Sequence, residues 1–197
     1  FLALYMWRKR QTPETRWLVD LFVAVAAWSL GYAMEMATAM REAKEFWAAF
    51  QYMGIVAVPL LWVGLIFEYT GRSRWLGRST IVALSVIPLI TAVLAWTYSY
   101  HDLLRRDVQL VPWDTYSVLI VAEYGPWFWI HVAYCYVLLA IGSILLLPAL
   151  FRSPHIYRRQ IFVMLVGLVS PWVANAIYLF GLSPFPHLDL TPFSFII

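Results

Sequence analysis

FWAAFQYMGIVAVPLLWVGLIFEY, residues 46–69, is a run of 24 residues in which Glu68 is the only charged side chain. As a helix rising 1.5 Å per residue it is long enough to cross a hydrocarbon core about 30 Å thick. In lipid such a run must be helical, because only a helix satisfies every backbone polar group within the segment. Four more stretches read the same way: residues 17–40, 80–100, 126–150 and 160–180. The whole chain agrees, with 62% hydrophobic and 13% charged residues among 197, against roughly 45–50% and 25% for soluble domains. Fourteen basic and 11 acidic side chains are too few to cover a water-soluble fold of this size. Eleven Trp, 12 Tyr and 12 Phe suit the boundary between hydrocarbon and headgroups. The single cysteine, Cys135, excludes a disulfide scaffold within the chain.

Both ends read as cut. Residues 1–7 are apolar and run into Arg8, Lys9 and Arg10, the pattern of a spanning helix without its beginning. No charged segment precedes them, which argues against a complete signal peptide. Near the other end Thr191-Pro192 resembles a helix start, with Thr as N-cap and Pro at the first position, followed by five residues, 193–197, apolar but for Ser194. Counting both ends, the expectation is an all-α membrane protein: a seven-transmembrane helical bundle with its first and last helices truncated. Gly71, Gly77, Gly125-Pro126, Ser153-Pro154, Gly181, Pro184 and Pro186 mark the breaks. No linker, low-complexity stretch or internal repeat divides the chain, so residues 1–197 read as a single domain.

Loop charge gives an orientation. The first, third and fifth connections hold Arg8, Lys9, Arg10, Arg16, Arg72, Arg74, Arg78, Arg152, Arg158 and Arg159, ten of the 14 basic residues. Arg41, Lys44, Arg105 and Arg106 are assigned to the other connections, beside several acidic residues. The positive-inside rule puts the arginine-rich side in the cytoplasm of a plasma (inner) membrane, with the amino terminus outside and the last helix ending inside. Between helices four and five, residues 108–111 and 116–121 flank Pro112-Trp113-Asp114-Thr115 and read as a short extracellular β-hairpin, a lid over the bundle.

Ionisable groups inside spans are costly and point to function. Asp20, a turn after Arg16, and Glu68, near Arg72, lie close to helix ends and read as structural. Glu35 lies deeper, in the apolar stretch 32–36, with Arg41 six residues on and on a different face. Either another helix supplies its partner or it lines a polar cavity. His131, amid Trp127, Trp129, Tyr134 and Tyr136, reads first as a hydrogen-bonded packing residue. It also falls, with Glu35, His101, Asp102, His187 and Asp189, on the expected outer side, where they would form a vestibule for a small ligand, a proton or a metal ion. Asn175 and Tyr178 share a face after Pro171, a predicted kink, as are Pro59 and Pro88. Glu35, His131, Asn175, Tyr178 and Asp189 are therefore the candidate ligand-binding residues.

Other chemistries find no support. There is no phosphate-binding glycine loop, no nucleophile elbow and no zinc-type spacing, so no catalytic or metal residues and no cofactor are assigned. Retinal would need a lysine inside a span, and Lys9 and Lys44 are both read as connection residues. The basic loops are explained by orientation and anionic lipid rather than nucleic acid.

Several short motifs, in order, carry a resemblance: Phe46-Trp47 through Gln51-Tyr52-Met53-Gly54, Pro59 and Phe67-Glu68-Tyr69-Thr70-Gly71; Tyr124-Gly125-Pro126-Trp127-Phe128-Trp129 with Tyr134 and Tyr136; Tyr157-Arg158-Arg159-Gln160; Pro171 with Asn175 and Tyr178; and Asp189-Leu190-Thr191-Pro192. Along nearly its whole length the chain resembles the seven-transmembrane region that precedes bacterial and archaeal histidine kinases. The resemblance implies a sensory input module, not itself an enzyme, joined through its last helix to a cytoplasmic output domain in cis and dimeric in the full-length protein. It names no ligand-binding residues. The expected function is a receptor domain that relays an external or intramembrane stimulus, an unidentified small ligand or ion, through the seventh helix. The alternatives are a transporter or channel, disfavoured by the absence of inverted repeats and of a polar route, and an intramembrane enzyme.

Overall fold

The computed structural model describes residues 12–113, 116–152, 155–182 and 189–194. The expected first helix with Arg8, Lys9 and Arg10, the turn at Asp114-Thr115, the Ser153-Pro154 break, Pro184, Pro186, His187 and residues 195–197 lie outside them. The elements in order are α1 (Pro13–Ala37), α2 (Arg41–Tyr69), a 3-10 turn (Ser73–Trp75), α3 (Arg78–Trp96), a second 3-10 turn (Tyr98–Tyr100), β1 (Arg105–Trp113), β2 (Tyr116–Tyr124), α4 (Pro126–Arg152), α5 (His155–Leu179) and α6 (Thr191–Ser194). Helices α1 to α5 are the five long, apolar segments, each able to cross a membrane.

Local chemistry sets their ends. The Thr12 side chain caps α1, accepting from the Thr15 N–H at 3.4 Å, with Pro13 at the first position and Glu14 in the first turn. This start lies four residues before the apolar run that announced the helix. At the other end both the N–H and the hydroxyl of Thr38 bond to the Met34 carbonyl, at 3.1 and 2.7 Å. Thr97 does the same to Val93 and closes α3 at Trp96, before the expected 100. Beyond α2, Gly71 turns the chain with φ 68°.

One expectation is corrected here. Lys44 was placed in a connection, but α2 begins at Arg41, so Lys44 is a helical residue and only 1% exposed.

The chain forms two compact units, Phe1–Gly142 and Ser143–Ile197. In the first, α1 and α2 form the most extensive helix pair and α3 packs on α2. Their backbones approach closely at Gly54, where a Cβ would come within 2.8 Å of the Trp28 nitrogen. Val19, Ala24, Trp28, Ala48, Tyr52, Val63 and Ile66 fill the core of this unit. Val82, Leu89 and Val93 of α3 are exposed, as expected of side chains that meet lipid. In the second unit α6 packs on α5, and the Ser170 hydroxyl donates to the Ser194 carbonyl at 3.2 Å.

The hairpin is antiparallel, with Arg105 opposite Tyr124, Val108 opposite Val121 and Trp113 opposite Tyr116. It is longer than expected, and Pro112 lies within β1 opposite Ser117, a position that two-stranded ribbons tolerate because every strand is an edge. Asp107 adopts φ 46°, a left-handed conformation open to Asp, and its carboxylate accepts from Gln109 at 2.8 Å. At the root, Gly125 N–H donates to Leu104 at 3.1 Å and Trp127 N–H to Leu103 at 2.9 Å. Leu104 is fully buried there.

Candidate functional site: a buried polar network beneath the hairpin

Glu35 lies on α1 one turn after Gly31, on the same face. A Cβ at Gly31 would sit 2.7 Å from the Cγ of Gln51, so only glycine lets this residue of α2 lie against α1. From there the Gln51 amide donates to the Glu35 carboxylate. Lys44, one turn into α2, donates from Nζ to the Glu35 main-chain oxygen at 2.7 Å. Glu35, Lys44 and Gln51 are all buried. The open question about Glu35 is thus answered by partners on another helix.

The hairpin enters the same network. Arg105, the first residue of β1, donates from Nη2 to the Ala48 carbonyl of α2 at 3.2 Å. Its guanidinium lies 5.0 Å from the Tyr52 ring centroid and 6.0 Å from that of Tyr98, within cation–π range. Burial opposes its charge, yet Tyr52, Glu35 and Tyr124 together hold its pKa above the ordinary arginine value. Burial, and then a hydrogen bond to Glu45, push the Tyr98 hydroxyl up to about 12. Glu45 accepts from Arg41 at 2.7 Å, and Arg41 reaches the Val108 carbonyl of β1 at 3.2 Å. The α1–α2 pair is thereby tied to β1, which lies far from both in the sequence.

His131, 3% exposed on α4, belongs to a different arrangement. Its ring lies 3.4 Å from Cys135 Sγ, one turn on, and stacks near Tyr134. Tyr134 in turn donates to the Leu84 carbonyl of α3 at 2.7 Å. Leu84 is four residues before Pro88, and proline has no N–H to give that carbonyl. Tyr134 therefore satisfies the acceptor that Pro88 leaves open. Trp127 adds a second bridge, donating to the Thr91 hydroxyl at 2.9 Å. The surroundings of His131 are those of a helix-packing residue.

Asn175 and Tyr178 lie half-buried on α5 in the second unit, as does Asp189 ahead of α6. The Asp189 carboxylate accepts from both the N–H and the hydroxyl of Thr191, at 2.9 and 2.6 Å. The acceptor that opens α6 is thus Asp189 rather than Thr191. Burial raises the Asp189 pKa, and the two Thr191 bonds oppose the rise. Of the sequence-derived candidates, Glu35 alone enters the charged network. Lys44, Gln51, Tyr52, Tyr98 and Arg105 were not singled out; the available signal was the polar Gln51 seven residues after Lys44, on one face of an apolar helix. Among the described residues no group of three or more His, Cys, Asp and Glu side chains is placed to hold a metal ion.

Five long apolar helices with a two-stranded hairpin and charged groups buried at a helix crossing make this a polytopic helical membrane protein. The family model for the N-terminal 7TM region of histidine kinase matches residues 1–197, and the chain belongs to that family. No curated protein and no solved structure matches the sequence significantly. Membership makes the chain a membrane sensory module of the histidine-kinase class.

Proposed function

We propose that residues 1–197 form one sensory domain of seven membrane-spanning helices whose input is read at the Glu35 network beneath the hairpin. In this reading the hairpin and the amino terminus face outward from the plasma membrane and the arginine-rich turns face the cytoplasm. A small molecule or ion changes how Arg105 and the hairpin engage Glu35, Lys44 and Gln51, which shifts α1 against α2. The last helix carries the shift to a cytoplasmic output domain in the same polypeptide, within a homodimer. His131, Asn175, Tyr178 and Asp189 are kept as candidate ligand-binding residues apart from this network, with Asp189 also fixing the start of α6 through Thr191.

The observation that carries this reading is the tie between β1 and the α1–α2 crossing through Arg105 and Glu35. Charges buried within a membrane fold are expensive to keep, so their retention favours a working role. A stimulus acts only through its difference in affinity for two arrangements, so in this reading it favours a second arrangement of the network over the one described. No observation favours transport. The test is autophosphorylation of the full-length kinase in native membranes. Glu35→Gln and Arg105→Gln are expected to move basal or stimulated output by about tenfold, the usual scale of allosteric coupling. Wild-type output from both folded variants would refute the assignment.

A further inference from the structure

A cleft of about 410 Å³ lies where α4 ends and α5 begins, lined by Leu150, Phe151, Arg158, Arg159 and Phe162. Arg152, Arg158 and Arg159 interrupt the apolar sequence between the stretches 126–150 and 160–180, which places the cleft at the boundary between hydrocarbon and headgroups. Its two faces differ in chemistry. Phe151 and Phe162 are 72% and 58% exposed and offer a strip of apolar surface. Arg158 is held in place by donating from Nε to the Leu150 carbonyl at 3.1 Å and from Nη2 to the Phe151 carbonyl at 3.4 Å. Arg159 is exposed beside it.

Among the described residues of the second unit nothing balances these two cations. Between Glu123 and Asp189 the sequence has no acidic residue, and the first turn of α5 carries none. Among the described residues neither arginine has a carboxylate partner. Both also sit near the amino-terminal end of α5, where the helix dipole favours an anion over a cation. A group with a negative head and an apolar tail would satisfy every one of these features at once.

We infer that this cleft binds one anionic phospholipid, its phosphodiester between Arg158 and Arg159 and an acyl chain along Leu150, Phe151 and Phe162. A zwitterionic lipid fits less well, because its ammonium group would meet the second guanidinium. The inference needs no assignment of which side of the membrane the cleft faces, and it is independent of the role given to Glu35.

The test is lipid retention by the full-length protein, measured by native mass spectrometry after extraction into detergent and titration with phosphatidylglycerol or phosphatidylcholine. The wild type is expected to retain one phosphatidylglycerol per chain in preference to phosphatidylcholine. Each arginine near a membrane surface adds roughly a fivefold preference for anionic lipid. Arg159→Gln should therefore lose about fivefold and the double variant Arg158→Gln/Arg159→Gln about twenty-fivefold. Arg159 makes no described bond within the fold, so its variant keeps the test valid if the double variant is unstable. Phe162→Ala should weaken phosphatidylglycerol while leaving any binding of inorganic phosphate unchanged. Equal retention of the two lipids, undiminished binding by Arg159→Gln, or displacement of the lipid by millimolar inorganic phosphate would each overturn the proposal.

Discussion

The first unit contains two polar helix crossings built on opposite plans. Between α1 and α2 the backbones nearly touch at Gly31 and Gly54, and the polar groups between them are charged: Glu35, Lys44 and, from the hairpin, Arg105. Between α3 and α4 long aromatic side chains make the bridges, and the groups are neutral: Tyr134 to Leu84 and Trp127 to Thr91. The neutral crossing repairs a backbone defect, since Tyr134 replaces the donor missing at Pro88. The charged crossing also reaches backbone acceptors, Lys44 the Glu35 carbonyl and Arg105 that of Ala48, but it adds charges that act on one another. Its members depend on one another, and removing one leaves the rest uncompensated in a poorly solvated place. The neutral crossing is expected to fail locally, and the charged one to pass its failure on.

The largest effect should come from Glu35→Leu, which takes the negative charge from beside Lys44 and Arg105 and leaves the Gln51 amide without its acceptor. About 3 kcal/mol or more of stability should be lost, read as a fall in unfolding midpoint in detergent, with faster amide exchange in β1 as well as in α1. Next comes Gly31→Leu, which forces Gln51 away from Glu35; overpacking of this kind costs about 1–3 kcal/mol, and Gln51→Ala in the same background should recover part of it. On the neutral side, Tyr134→Phe should cost about 1 kcal/mol and leave exchange in β1 at its wild-type rate. Pro88→Ala sharpens the contrast: it restores the helical donor to the Leu84 carbonyl, so Tyr134→Phe should cost little in that background. Smallest of all is Arg41→Gln, where Arg41 itself is exposed and solvent screens the pair. No measurable change in the unfolding midpoint is expected.

Uninterrupted apolar length revealed the five long helices because lipid imposes one solution on such runs, and the β-branched runs around Pro112-Trp113 gave the hairpin. Boundaries shifted where capping rather than hydropathy decides, as at Thr12 and Thr97. The site was legible only in part. Glu35 stood out as a charge among apolar neighbours, but its partners did not. Lys44 lies close to a helix start and looked like a loop residue, and Arg105 lies outside the helices altogether. Which helix meets which, and where a hairpin folds back, is tertiary information that neither residue carries in its local sequence. Tyr134 was visible only as an aromatic neighbour of His131, because its link to Pro88 joins positions 46 residues apart.

The most direct measurement is a double-mutant cycle on kinase output, using Glu35→Gln, Lys44→Met and the pair of them in the full-length protein in membranes. If the buried network sets the signalling state, each single variant changes autophosphorylation severalfold and the double variant returns towards the wild type, because the charges are removed together. Wild-type autophosphorylation in all three folded variants would contradict the account.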